Sequence, residues 1–189
     1  MNALLIVDPQ NDFITGSLSV PGALEAMGRL AGLLDKMPVT DIFVTMDCHP
    51  FDHMSFKDNG GIWPRHCVKY SEGAALLQPL IVALGQAGGS KGIHFIEKGT
   101  ERDKEEYSAF ETGYPPLFDE AEQIFVTGIA GDVCVKTSIT DLARHGLSEK
   151  LVVIPDFCPS LDGGRLLEET IRNLNLRTET PRGASDLSR

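Results

Sequence analysis

The chain has little of what marks secreted, membrane-spanning or nucleic-acid-binding proteins. Only four cysteines, Cys48, Cys67, Cys134 and Cys158, occur in 189 residues. They are too few and too scattered for a disulfide framework, so we expect a reducing, cytoplasmic setting. No apolar run approaches the roughly 20 residues that a membrane span needs. The start, MNALLIVDPQ, has no basic segment before its short apolar run, so we expect neither a signal peptide nor membrane association.

The balance of charge also excludes a class of partner. Lysine and arginine number 17 against 27 aspartates and glutamates, a net charge of -10. Binding to nucleic acid relies on clustered basic residues, so we expect no nucleic acid partner. The length suits one domain, which we expect over residues 1–180, with 181–189 (PRGASDLSR) as a flexible tail. A homo-oligomer is compatible with this composition.

Apolar, strand-like runs alternate with helical patterns along the chain. The strand-like runs are Ala3–Asp8, Asp41–Asp47, Ile93–Gly99, Gln123–Ala130 and Leu151–Phe157. The helical patterns are Ala23–Met37, Ala74–Ala87, Asp132–Gly146 and Gly164–Leu176. Near-continuous apolar strands separated by helices predict an α/β three-layer sandwich, with a central, mostly parallel sheet and helices on both faces. The pattern does not determine the order of the strands.

Reactive side chains occur where several of these strands end. Asp8, Asp47 and Lys98 each close an apolar run, and GIAGDVC follows another. In open parallel sheets, ligands bind in the crevice beyond the carboxyl ends of the strands. Any one of these residues could be a solvated loop residue, and Asp8 could be a turn residue before Pro9. Their coincidence across strands favours a shared site.

Cys134 lies in the first turn of a predicted helix, where free N–H groups and the helix dipole favour a thiolate. The same N–H groups can hold an oxyanion. The alternative is a thiol packed in the core. No histidine lies near this helix start, so Asp8 is the candidate base, with Lys98 to offset charge. An aspartate acting on a thiol needs a pKa raised by burial, which the sequence does not show.

The segments DCHPFDHMSF and WPRHC form a second group of functional residues. In an extended chain, Asp47 and His49 point to one side. With His53 or His66 as third ligand, they predict a divalent metal site with open positions. A structural zinc site using the two nearby cysteines, 48 and 67, and a loop with incidental histidines are the alternatives.

Two aromatic residues accompany these groups, Phe13 after the first strand and Trp63 in a loop near His66. Single loop aromatics commonly fill packing gaps. Beside a metal and a thiol, they can instead flank a flat aromatic ligand.

Taken together and in this order, the segments DPQNDF, LSVPGA, DCHPFDHMSF, WPRHC, EKG, YSAFE and GIAGDVCV resemble the nicotinamidase (pyrazinamidase) branch of the isochorismatase-like cysteine hydrolases. The matching segments run from residue 8 to about 135, and the strand–helix alternation extends the likeness to about 176. The resemblance implies an isochorismatase-like, Rossmann-like fold. It also implies hydrolysis of nicotinamide to nicotinic acid and ammonia through a cysteine thioester, in NAD salvage.

The resemblance further implies roles for individual residues. The implied catalytic residues are Asp8, Lys98 and Cys134. The implied metal ligands are Asp47, His49 and His66, with His53 as a fourth in some relatives, and the ion is zinc, with iron or manganese as alternatives. The backbone N–H groups of Ala130 and Cys134 would form an oxyanion hole, helped by a cis bond between Ile129 and Ala130. Phe13 and Trp63 would flank the substrate ring.

Two positions depart from the family pattern. Cys48 stands where tryptophan is frequent and Gly131 where threonine is frequent, which affects loop packing and the turn rather than the chemistry. Two rival functions stay open. One is a metal-free amidase of the same family acting on a carbamoyl or ureido substrate. The other is a non-catalytic binding protein on the same fold.

Overall fold

A six-stranded parallel sheet organises the protein, as a computed structural model describes it over residues 1–180. The strands lie in the order β3-β2-β1-β4-β5-β6. Their bounds are β1 Asn2–Val7, β2 Asp41–Asp47, β3 Gly92–Lys98, β4 Gln123–Gly128, β5 Leu151–Val153 and β6 Arg177–Thr178. The predicted fold class is confirmed, and the prediction of a tail at 181–189 lies outside the described residues.

The central strands are buried on both faces, which explains their unbroken apolar sequences. In β1, the five residues from Ala3 to Val7 are all buried. Leu5 pairs in parallel register with Phe43 of β2 on one side and Val126 of β4 on the other. Such runs form strands because branched and aromatic side chains pack well on a pleated sheet covered from both sides.

Helices cover both faces of this sheet. They are α1 Asn11–Ile14, α2 Ala23–Ala31, α3 Gln78–Ala87, α4 Leu117–Glu120, α5 Lys136–Arg144 and α6 Arg165–Asn173. On one face, α2 buries Met27 and Leu30 and packs with α3. On the other face, Ile139 of α5 and Leu167 of α6 belong to a second apolar core. No helix among residues 1–180 is long and apolar enough to cross a membrane.

Several predicted boundaries shift for identifiable reasons. Helix α2 ends at Ala31 rather than Met37, directly before Gly32. Helix α3 begins at Gln78 rather than at residue 74, with Pro79 in its first turn, where proline is tolerated. Strand β5 stops at Val153 because Pro155 lacks a backbone donor and begins a short 3₁₀ turn. The two-residue strand β6 has no clear sequence signal.

The strand order fixes where a ligand site can form. With β1 and β4 adjacent, the sheet has the doubly wound order whose crevice opens beyond the carboxyl ends of these two strands. Asp8 follows β1, and the GIAGDVC turn follows β4. The next strands outward from β1, β2 and β3, end at Asp47 and Lys98, so the fold brings all four predicted strand ends to one edge.

Candidate active site

Lys98 is the centre of a buried polar cluster at this edge. Its Nζ lies 2.9 Å from Asp8 Oδ2, 2.5 Å from Asp47 Oδ1 and 3.8 Å from Cys134 Sγ. The four side chains are all buried. Burial acts against the ammonium, but the carboxylates of Asp47 and Asp8 outweigh it and hold the pKa of Lys98 well above its usual value. Lys98 therefore stays charged.

Asp8 has the environment that a proton acceptor for a thiol requires. It is fully buried, and Thr45 Oγ1 donates a 2.7 Å hydrogen bond to its Oδ1. Its Oδ2 makes the ion pair with Lys98 in a geometry that leaves an acceptor direction open. Burial raises the pKa of Asp8 more than Lys98 and Thr45 lower it. A carboxylate with a raised pKa is a stronger base.

Cys134 stands on a π-helical turn, Gly131–Val135, and not on the first turn of the following helix as the sequence suggested. Its sulfur and an oxygen of Asp8 lie within 4.8 Å of each other. Burial raises the pKa of the thiol well above its usual value, although Lys98 lowers it. Desolvation therefore acts against the resting thiolate that a helix start is expected to favour. A thiol in such an environment needs a base to remove its proton.

The backbone of this turn offers two donors beside the sulfur. The N–H groups of Val133 and Val135 both donate to the carbonyl of Ala130. The N–H of Ala130, in contrast, reaches no protein acceptor among residues 1–180, and the N–H of Cys134 belongs to the same turn. The bond between Ile129 and Ala130 is cis. Backbone donors beside a thiol are what an oxyanion hole needs.

Asp47, His49 and His66 bring three possible metal-ligand atoms within 4.8 Å of one another. In each histidine, Nδ1 contacts a backbone carbonyl, that of Gly99 at 2.9 Å for His49 and that of Pro64 at 2.8 Å for His66. Because a carbonyl only accepts, Nδ1 carries the proton and Nε2 keeps its lone pair. One carboxylate and two imidazoles with such supporting bonds fit a divalent transition metal.

Gly99, directly after Lys98, occupies a position that requires a glycine. Its φ is +63°, and a Cβ there would lie 2.4 Å from His49 Cε1. Its N–H donates to Glu106 Oε2 at 2.8 Å, and Lys98 Nζ donates to the Glu106 carbonyl at 3.2 Å. The turn therefore holds the lysine and the histidine side by side.

His53 lies beside the possible metal ligands Asp47, His49 and His66 but is not one of them. Its ring stacks on that of His49 with centroids 4.1 Å apart. Its Nε2 faces the Lys104 carbonyl at 2.9 Å and therefore carries the proton, while Nδ1 accepts from Ser55 Oγ at 2.7 Å. Both nitrogens are thus engaged, so the expected fourth ligand is not available in this arrangement.

The alternative zinc site using Cys48 and Cys67 has no counterpart in the described part of the chain. Both thiols are buried, and neither belongs to a group of potential ligands there. Burial raises the pKa of Cys48 to about 11. These cysteines therefore behave as packed thiols.

The DPQNDF motif contributes two positioning residues that the sequence analysis did not identify. The Gln10 side chain donates to the Asp47 carbonyl at 2.7 Å and accepts from the Asp47 N–H at 2.8 Å. Asp12 Oδ2 accepts from the Cys67 N–H at 2.7 Å, directly after His66. The loop after β1 thus fixes two segments that carry possible metal ligands. The only sequence signal was the motif itself.

A pocket of about 390 Å³, counting its open mouth, is lined both by Cys134 and by the possible metal ligands Asp47 and His66. Its lining residues are Phe13, Leu18, Val20, Asp47, Trp63, His66, Glu105, Tyr107, Ala130, Val133, Cys134 and Leu161. Trp63 Nε1 donates to the Tyr107 hydroxyl at 3.1 Å, which fixes one aromatic wall. Tyr107 lies in the YSAFE segment, to which the sequence analysis gave no role.

Fold and site define a class of protein: a doubly wound α/β protein with a buried Asp–Lys–Cys cluster beside a possible metal centre. An isochorismatase domain model matches residues 2–185. The chain is also 33% identical to the nicotinamidase of Escherichia coli over 183 residues, covering 82% of each protein. The chain therefore belongs to the isochorismatase family.

Solved structures agree with this assignment. The yeast nicotinamidase Pnc1p bound to the inhibitor nicotinaldehyde matches with a TM-score of 0.82 and 25% identity, over 96% of this chain and all of that one. The pyrazinamidase of Pyrococcus horikoshii in complex with zinc matches with a TM-score of 0.74 and 29% identity, over 95% of this chain and 99% of that one.

Proposed function

We propose that this protein hydrolyses nicotinamide to nicotinic acid and ammonia, as part of NAD salvage. The observation that carries the proposal is one pocket lined by Cys134, by Phe13 and Trp63, and by Asp47 and His66, which form a group of possible metal ligands with His49. A thiol beside a base is suited to attack a carboxamide. The similarity to nicotinamidases supports nicotinamide, with its pyridine ring, as the substrate.

The first half of the reaction forms a thioester. Asp8 takes the proton of the Cys134 thiol as the sulfur attacks the amide carbon. The N–H groups of Ala130 and Cys134 stabilise the negative oxygen of the tetrahedral intermediate. The carbon–nitrogen bond then breaks, and Asp8 returns the proton so that ammonia leaves. Lys98 stabilises the sulfur while it is charged and keeps the Asp8 carboxylate in place.

The second half returns the enzyme to its starting state. Water attacks the thioester carbon and gives a proton to Asp8. The carbon–sulfur bond breaks, the carboxylic acid product forms, and Asp8 returns the proton to Cys134. The buried environment keeps this exchange between one carboxylate and one thiol.

The aromatic residues and the metal group orient the substrate. Phe13 and Trp63 line the pocket and would contact the two faces of a flat ring. A divalent ion, which we propose to be zinc, would be held by Asp47, His49 and His66 and would supply a Lewis acid for the ring nitrogen. A metal-free amidase acting on carbamoyl or ureido compounds would not need these three residues, which weighs against that alternative.

Ammonia release from nicotinamide tests the proposal. The protein, purified with zinc, should release ammonia from nicotinamide and far less from N-carbamoyl amino acids and ureido compounds. Chelation should reduce kcat/KM by about 100-fold, because a substrate that is not oriented reacts slowly, and zinc should restore it. The absence of ammonia release from nicotinamide by the reconstituted protein would disprove the function. Full activity after chelation would disprove the role of the metal.

A further inference from the structure

The rim of the pocket contains aliphatic residues that the proposed chemistry does not use. Cys134, His66 and Phe13 are buried and form the floor. Leu161, in contrast, lines the same pocket but is 43% exposed, so it lies at the mouth. An exposed leucine that lines a substrate pocket limits which ligands can enter.

Leu161 is held by the turn that carries the nucleophile. Its backbone N–H donates to Asp132 Oδ1 at 3.0 Å, and the N–H of Asp162 donates to Asp132 Oδ2 at 3.1 Å. Asp132 is buried and stands two residues before Cys134. Both oxygens of one carboxylate thus fix the segment 158–162 relative to the sulfur.

Gly131 allows this segment to approach the turn directly. A Cβ at this position would lie 2.3 Å from Ser160 Oγ and 2.6 Å from the Cys158 carbonyl. Its N–H donates to the Pro159 carbonyl at 2.8 Å. A threonine, frequent here in the family pattern, would not fit against this segment. The glycine therefore belongs to the same arrangement as Asp132 and Leu161.

The far end of the segment is also fixed. The Asp162 side chain accepts from the N–H groups of Gly164 and Leu166, at 3.0 and 2.9 Å, at the start of α6. The segment 158–162, which forms the pocket wall at Leu161, is thus hydrogen-bonded to the π-helical turn on one side and to α6 on the other. A wall held at both ends cannot easily move aside for a larger ligand.

We propose that Leu161 is a specificity-determining residue that restricts the pocket to a single unsubstituted ring, and that Asp132 is the residue that positions it. This inference rests on the proposed function, because it concerns the same pocket. Leu161 acts by steric contact with the ring or its substituents, and Asp132 acts only through Leu161. One methyl group in an apolar pocket changes discrimination by about 10-fold or more.

The test compares kcat/KM for nicotinamide with kcat/KM for quinoline-3-carboxamide, which has a fused second ring. Leu161→Ala should raise the ratio of kcat/KM for the larger amide to kcat/KM for nicotinamide by about 10-fold. Leu161→Phe should lower this ratio. The matched control is Ile81→Ala, because Ile81 is 45% exposed on α3 and lines no part of this pocket. The control should leave the ratio unchanged. A ratio within twofold of native in both Leu161 variants would overturn the proposal.

Asp132→Asn tests the positioning role, because an asparagine can accept only one of the two N–H bonds. We expect the ratio to rise by about threefold as the wall loosens. A merely structural role would lower kcat for both amides equally and leave the ratio unchanged, and that result would overturn the assignment of Asp132.

A binding measurement separates failure of this inference from failure of the proposed function. If the native protein releases no ammonia from nicotinamide, the function is disproved but the wall is still testable. Calorimetry on Cys134→Ala, with and without Leu161→Ala, would compare nicotinate with quinoline-3-carboxylate. Leu161→Ala should improve the relative affinity for the larger acid by about 10-fold. Equal relative affinities in the two proteins would disprove the role of the wall.

Discussion

Two neighbouring turns at the carboxyl edge of the sheet each bury a cysteine. Cys134 follows β4, and Cys158 follows β5. Burial raises the pKa of both thiols. Their partners differ: Cys134 lies 3.8 Å from Lys98 Nζ and near Asp8, whereas Cys158 Sγ faces the backbone carbonyls of Val126 and Ile154, at 3.8 and 3.3 Å.

The comparison shows that neither burial nor position at a strand end makes a thiol a nucleophile. Both thiols have these features. Of the two, only Cys134 lies near a buried carboxylate, that of Asp8, and a buried ammonium, that of Lys98. A reactive thiol is therefore defined by its contacts across strands.

The largest expected effect comes from removing each sulfur in turn. Cys134→Ala should reduce ammonia release by about 10⁴-fold or more, because no covalent intermediate can form. Cys158→Ala should keep kcat within about threefold of native and destabilise the protein by about 1 kcal/mol through lost packing. Steady-state kinetics and urea unfolding measure these effects. Comparable losses of kcat in the two variants would contradict the claim that Cys134 differs from Cys158 in being the nucleophile.

Removing the cation is expected to have the next largest effect. Lys98→Met should lower kcat by about 10³-fold, because Asp8 and the sulfur lose their shared counter-ion. It should also reduce the free energy of unfolding by about 3 kcal/mol, since Asp8 and Asp47 would remain buried without a cation.

The control for this variant is Lys69→Met. Lys69 pairs with Glu97 at 2.6 Å on the surface, where solvent screens the two charges and the ion pair adds little stability. If Lys98→Met unfolded no more easily than this control, the buried cluster would not have the electrostatic role assigned to it.

The smallest effect concerns the pKa of Asp8. The hydrogen bond from Thr45 lowers this pKa, so Thr45→Val should raise it. Because attack on the amide needs ionised Asp8, the acid limb of the kcat/KM profile should move to higher pH. Thr127→Val is the matched control, since its hydroxyl donates to the Leu5 carbonyl and not to Asp8. An unshifted acid limb in Thr45→Val would show that Asp8 does not control this ionisation.

Much of the fold was predictable because its signals are local. The apolar runs at 3–8 and 41–47 indicated buried parallel strands, and the helical pattern Ala23–Met37 indicated the helix that became α2. The exact ends of α2 and α3 and the short strand β6 were not predictable from the pattern. Packing decides these boundaries by selecting among weak local preferences.

The sequence was sufficient to predict which residues belong to the candidate site. It was not sufficient to predict their pKa shifts or hydrogen bonds. Strand ends and motifs pointed to Asp8, Lys98 and Cys134. They gave no sign that desolvation would raise the pKa of the Cys134 thiol or that both ring nitrogens of His53 would have hydrogen-bond partners. Gln10, Asp132 and Leu161 were missed, because each acts through contacts with residues far away in sequence or on another element.

The sequence by itself determined the parallel α/β class, the family resemblance and the set of reactive residues, because strand periodicity and motif spacing are properties of neighbouring residues. Only the tertiary structure decided the order of the strands and the contacts that Lys98 makes with Asp8, Asp47 and Cys134. It also decided that Cys134 lies near Asp8, whereas the sulfur of Cys158 faces backbone carbonyls. The physical reason is that pKa values and pocket walls depend on burial and on atoms a few ångströms away, which chain folding alone brings together.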